Sequence, residues 1–149
     1  MNNSLLNHIN LWNANLNNSQ LVNADLTGAY MNNVKLNSAN LTRAIIKDAQ
    51  ITEAKLKNAN LEWANLNGSQ LDNANLKNAN LSGASLEKAN LSNTNLEEAI
   101  LHHTDLRAAN LTNINLINTK VKNARFGSNI GIGEEIKLYL KRQGAIFED

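Results

Sequence analysis

From Leu6 to Phe126 every fifth residue is a bulky apolar one, twenty-five positions without a break. No ordinary element carries that period. A helix repeats its apolar face about every 3.6 residues and a strand every second one. A helix built on this pattern would scatter its large residues around its whole surface, and a flat strand would flip them between faces. Two residues before most of the large residues sits Ala, Ser or Thr, so inward-type positions alternate at spacings of two and three. A chain that turns once per five residues satisfies both spacings. A short extended piece points a small and a large side chain inward, and a turn then changes direction. Successive layers pair their backbones, as solenoids do. Asn is abundant and suits such turns. Pro, which would delete an inter-layer hydrogen bond, is absent.

The repeated triplet, as in Ala39-Asn40-Leu41, Ala59-Asn60-Leu61, Ala74-Asn75-Leu76 and Ala79-Asn80-Leu81, resembles that of the pentapeptide-repeat proteins. The resemblance runs in one register over roughly residues 4 to 128. It implies an all-β solenoid, a right-handed quadrilateral β-helix with four pentapeptides to a coil and about six coils. The segment Arg142-Gln143-Gly144-Ala145-Ile146-Phe147 resembles tails common in cyanobacterial members. Many members have no known activity. The best-understood group mimics duplex DNA and protects type II topoisomerases from drugs.

At 149 residues one domain is expected, made of a repeat over residues 1–128 and a helical cap over 129–149. Glu134 to Arg142 reads as a helix with Ile132, Ile136, Tyr139 and Leu140 near one face. Glu134 and Glu135 suit its N-terminal end, Lys141 and Arg142 its C-terminal end, and Gly144 its termination. Such a lid covers the open end of a solenoid. No equivalent lid precedes the first coil in this sequence, so that end is expected to be open, covered by a segment outside it, or covered by a second copy, for which Leu6, Leu11 and Trp12 are candidates, N-terminus to N-terminus. Within the repeat, Ile9, Val34 and Ile114 are large where Ala is usual. Thr94, Thr104 and Thr119 need hydroxyl partners if buried. Ile45 and Ile100 stand where an outward Asn is usual.

The chain carries fourteen basic and thirteen acidic residues, a formal charge of +1. That is too small for general nucleic-acid binding and too basic for an imitation of phosphate rows. There is no Cys for disulfide or thiol chemistry. No stretch approaches the roughly 18 apolar residues that cross a bilayer, and the N-terminus lacks a signal-peptide pattern, so a cytoplasmic location and no membrane partner are expected.

With the twenty-residue coil that the resemblance implies, positions twenty apart stack. Lys35 and Lys55 share one column and Lys57 and Lys77 another on the same face, a basic stripe followed further along by Glu97 and Glu98, which suits an acidic partner or keeps a solvated face from aggregating. Trp63 is an outward position in line with Arg43 and His103, and Trp and Arg are enriched at protein-binding hot spots. The competing reading lays Trp63 flat on its neighbours with Gly83 leaving room. His102, His103 and Asp105 lack the further ligands of a metal centre. Ser4, Ser19 and Ser69 are small inward spacers and not nucleophiles. A filled tube offers no ligand cavity. No enzyme, no cofactor and no metal are expected, and the reading is a non-enzymatic scaffold presenting flat walls to a protein partner. The alternative is a DNA-mimic modulator of a type II topoisomerase, which the charge disfavours.

Overall fold

The five backbone N–H groups of one repeat explain the whole architecture of the computed structural model, which describes residues 1–148. In the repeat around Leu36, the Lys35 amide donates to the Ala14 carbonyl at 2.9 Å and the Leu36 amide to Lys55 at 2.7 Å. Ser38 donates to Lys57 at 2.9 Å, and Ala39 closes the turn on Leu36 at 3.0 Å. The fifth amide, of Asn37, donates to the side-chain Oδ1 of Asn17 at 2.8 Å. Three amides thus tie a layer to its neighbours, one makes the corner, and an Asn side chain takes the last. Buried backbone donors are left with no unmet demand.

Beyond taking that fifth amide, this pattern gives Asn two further tasks. The residue before each corner amide adopts positive φ, from Asn3 at 57° through Trp63 at 59° to Ser128 at 51°. Asn tolerates that region better than most side chains. The Asn that precedes each Leu does something else. It accepts from the amide two residues on, as Asn40 does from Thr42, Asn60 from Glu62, Asn75 from Lys77 and Asn80 from Ser82.

Parallel bridges join positions twenty apart, beginning with Leu5↔Asp25 and ending with Asn110↔Ile130. Four five-residue walls therefore return the chain over itself. Each wall contributes a single bridged residue and not a long strand, because a corner follows so soon. Inside, Leu and Ala stack in columns: Leu21, Leu26, Leu41, Leu61, Leu81 and Leu101 are buried, with Ala24, Ala44, Ala64 and Ala84 beside them. Val34 is buried in the rod, whereas Ile9 and Ile114 are half-buried at its two ends. Buried hydroxyls find carbonyls one layer back: Thr94 donates to Leu71, Thr104 to Leu81 and Thr119 to Leu96, at 2.8–2.9 Å. Ser69 donates to Leu66 at 2.7 Å, while the buried Ser19 Oγ has no partner. Ile45 faces outward as expected and Ile100 is half-buried.

The closing segment contains strand β1 (Arg125–Phe126), helix α1 (Glu134–Arg142) and strand β2 (Ile146–Phe147). Strand β2 lies parallel on β1, and the Phe126 and Phe147 rings stack with centroids 4.9 Å apart. The helix has acidic residues in its first turn and basic ones in its last, and Gly144 follows with φ 89°. One expectation is corrected here. Of the four apolar residues assigned to the inner helix face, Leu140 alone is buried. Ile136 and Tyr139 remain 41% and 48% exposed. A helix of nine residues is about 14 Å long and spans only part of a four-sided end.

Candidate interaction surface

The wall that carries Asn40, Asn60 and Asn80 collects most of the candidate residues. These three bridge one another in a column and are half-buried. Their Oδ1 atoms accept from backbone amides, and each Nδ2 group is a donor without a hydrogen-bond partner among the described residues. One corner of this wall carries Arg43 and Trp63, which stack twenty residues apart and are both exposed. The opposite corner carries Lys57 and Lys77. Lys35 and Lys55 bridge each other on the adjoining wall, both exposed. Lys77 is not available as drawn from sequence: its Nζ donates to Glu97 at 2.8 Å, which raises its pKa. The basic stripe thus ends in an ion pair.

Trp63 is 58% exposed, and its indole lies over Gly83 of the next layer. The ring packs on its neighbour in the next layer and still presents an open face. His103 lies beyond Gly83 in the same column and is exposed. A Cβ at Gly83 would collide with the Trp63 ring, and the φ of 68° there already disfavours a side chain. Gly83→Ala is therefore expected to destabilise the rod by about 1–2 kcal/mol. The loss should shrink in a Trp63→Ala background, where the collision is gone. Denaturant titration of the double-mutant cycle measures both. The same packing recurs where His8 lies over Gly28 and Asp48 over Gly68.

The two ends differ in how they finish. At the first layer Leu6 and Leu11 are only half-buried, Trp12 is 64% exposed and Leu5 83% exposed. The carbonyls of Leu5, Asn10 and Asn15 accept no bond among the described residues, whereas their counterparts Asp25, Tyr30 and Lys35 accept from Leu6, Leu11 and Leu16. No Asp, Glu, Lys or Arg occurs before Asp25. Edges are ordinarily blunted by charge, and this one is not.

At the other end the tail is held by ions. Glu148 meets Arg125 at 2.8 Å and Arg107 at 3.2 Å, and both arginines also pair with Asp105. The Arg107 guanidinium holds the Asp105 carboxyl below the usual range, and Arg125 does the same for Glu148. Depressed folded values mean that the cluster stabilises fully above the ordinary carboxylate range near 4. That contribution is lost as pH falls through the lowered values. Acidification from pH 7 to about 3 should therefore release β2 before the rod melts. Hydrogen exchange checks this: protection of the Ile146 and Glu148 amides, which donate to Ala124 and Phe126, should fall while that of Leu71 persists.

Asp105 is thus engaged by arginines. His103 is exposed, and the His102 Nδ1 is buried without a partner. Among the described residues no group of three or more His, Cys, Asp or Glu gathers where a metal ion could sit. No helix among them is long and apolar enough to cross a membrane.

Known proteins share this architecture. The pentapeptide repeats family matches in eight copies, in overlapping stretches from residues 4–43 to 84–127. No curated protein matches the chain. Among solved structures, HetL, a pentapeptide repeat protein involved in heterocyst differentiation regulation from the cyanobacterium Nostoc sp. strain PCC 7120, is 30% identical. That match covers 83% of this chain and 70% of HetL, with a TM-score of 0.39. Rfr23 from the cyanobacterium Cyanothece 51142 is 32% identical over 76% of this chain and 64% of its own, with a TM-score of 0.45. A trypsin-treated form of QnrB1, a plasmid-mediated fluoroquinolone resistance protein, aligns over 99% of this chain and 88% of its own. There the identity is 13% and the TM-score 0.54, a likeness of fold. With its five-residue period, its bridges at twenty and its family match along the repeat, the chain belongs to the pentapeptide repeat family, whose members fold as right-handed quadrilateral β-helices.

Proposed function

We propose that this protein is a non-enzymatic scaffold that presents one flat wall to a protein partner. The observation that carries the reading is the wall of Asn40, Asn60 and Asn80. It is a row of amide donors flanked by Arg43 and Trp63 on one corner and by Lys57 on the other, where Lys77 is held by Glu97. Such a surface suits a partner rich in carboxylates and carbonyls, with an apolar group to meet the indole. Lys35 and Lys55 extend the cationic side. In this reading residues 1–128 are the presenting rod, about six coils and roughly 30 Å long at about 4.8 Å per layer. Residues 129–149 are its cap, of which Asp149 lies outside the described residues. The charge-free first layer, with Leu6, Leu11 and Trp12, pairs with a second copy. The protein acts in the cytoplasm, without cofactor or metal.

The family in general supplies structural and interaction proteins, which fits an interior filled by Leu and Ala. A topoisomerase modulator acting as a DNA mimic needs rows of negative charge. A wall of donors and cations is the wrong sign for it. The test is a pull-down from native lysate with wild type and Trp63→Ala side by side. The partner should be lost from the variant while its melting temperature is unchanged. Equal loss of binding and of stability, or no specific partner for wild type, contradicts the reading.

A further inference from the structure

The closing layer is covered on two of its four walls. Strand β2 pairs with β1 on one, and Ile130 bridges Asn110 on another. The wall of residues 114–116 and its corner at 117–118 receive no rung. Three main-chain groups there have no partner among the described residues: the Ile114 carbonyl and the Leu116 and Asn118 amides. These are the groups that bond one layer to the next everywhere else. In the first layer, Ala14 accepts from Lys35, Leu16 donates to Lys35 and Asn18 donates to Asn37, at 2.7–2.9 Å.

This unused edge is half-buried at Ile114 and Leu116 and exposed at Ile117 and Asn118. It lines an open cleft of about 380 Å³ whose other side is helix α1, through Ile136 and Tyr139. Ile114, Leu116 and Ile117 complete the apolar lining. Asn118 and Tyr139 are shared with a second hollow of about 360 Å³, bordered by His102, Lys120 and Lys122. Both lysines are exposed and neither has an ion pair among the described residues. The edge therefore runs from an apolar end to a basic one.

We propose that this cleft binds an extended acidic peptide, which joins residues 114–118 as the next parallel rung. Its main chain satisfies Ile114, Leu116 and Asn118. One apolar side chain points inward between Leu116, Ile136 and Tyr139. Acidic residues that follow it reach Lys120 and Lys122 around the corner. Strand addition of this kind takes affinity from the main chain and specificity from alternate side chains. The chain's own tail already covers the opposite wall in the same manner, through β2 and the inward stack of Phe147 on Phe126. A second copy meeting this end would bring the two pairs of lysines onto one small surface, which favours the acidic peptide.

The rung directly beneath has the sequence Thr-Asn-Leu-Glu-Glu, and its Asn95 bridges Asn115. The acetylated peptide of that sequence is the probe. Titrated into isotope-labelled full-length protein, it should shift the Leu116 and Asn118 amides saturably, in the direction of hydrogen-bond formation. Methylating the peptide's Asn nitrogen removes the donor to Ile114. That change, and separately Ile136→Glu in the protein, should each weaken binding by about tenfold. Trp63→Ala should leave it unchanged, so this result stands apart from that of the wall. The proposal is overturned by an absence of shifts at Leu116 and Asn118, or by binding that is indifferent to N-methylation. It is also overturned if those amides move with protein concentration alone, since a second copy would then hold the edge.

Discussion

Leu71→Ala is expected to lower stability by about 2–5 kcal/mol, and Leu71→Asp to prevent folding altogether. Leu71 is fully buried, between Ile51 and Leu91 in the stacked column above and below it. A globular core can partly close around a deleted side chain. Here it cannot easily do so, because the backbone on either side of the column is pinned by bonds such as Leu71 to Asn90 at 2.8 Å and Asn75 to Ala54 at 2.9 Å. The void therefore persists and costs close to the full amount. Aspartate at the same place buries a charge among aliphatics with no cation within the tube. Thr94 shows the limit of what the interior accepts, for its buried hydroxyl donates to the Leu71 carbonyl at 2.8 Å. A domain of this size is stable by about 5–15 kcal/mol in total. Urea unfolding of both variants is the check, and a loss below about 1 kcal/mol for Leu71→Ala would mean the tube relaxes freely.

Much of this was legible from the repeat. Spacings of two and three place Leu and Ala inside whatever the details of the corner, so the core followed from counting, while the column partners followed from the twenty-residue coil that the family resemblance implies. The closing helix followed from its charges, since Glu134 and Glu135 at one end and Lys141 and Arg142 at the other fit one dipole. What escaped the sequence was geometry across layers. The abundance of Asn was read as turn propensity. Its second task, accepting the amide two residues on, depends on where Asn40 or Asn60 stands relative to the corner, and position in the repeat was the available signal. The Lys77–Glu97 pair was within reach too, because the two are twenty apart and of opposite charge. The latch of Glu148 on Arg107 and Arg125 was not, since the tail leaves the repeat before it returns. The exposure of Ile136 and Tyr139 was hidden for a similar reason. Helical periodicity says which residues share a face, and nothing about how much of the rod's end that face can cover.

A second large effect is expected from removing a single residue. Deleting Asn73 leaves the corner between Leu71 and Ala74 one residue short, and the Ala74 amide can no longer close on Leu71, where it now donates at 2.9 Å. Every bond that crosses this point within one coil, including the Asn60↔Asn80 and Asn65↔Ser85 bridges, would have to span nineteen residues and not twenty. A slip of one residue exchanges inward for outward side chains, so the error cannot be shared out along the chain. Deleting residues 71–75 removes five times as much and disturbs far less. Leu66 then stacks under Leu91 and Ser69 under Thr94, large on large and small on small. The rod is only one wall shorter, and the tail, which touches residues of the last layers, keeps its partners.

The melting temperatures of these two deletions, measured beside wild type under one condition, test the central claim that the fold is set by a five-residue wall with its interior filled. The account predicts that loss of residues 71–75 leaves a cooperative transition within a few degrees of wild type, while loss of Asn73 alone lowers it by about 10 degrees or more, or abolishes it. Equal tolerance of both deletions, or greater damage from the five-residue one, would contradict it.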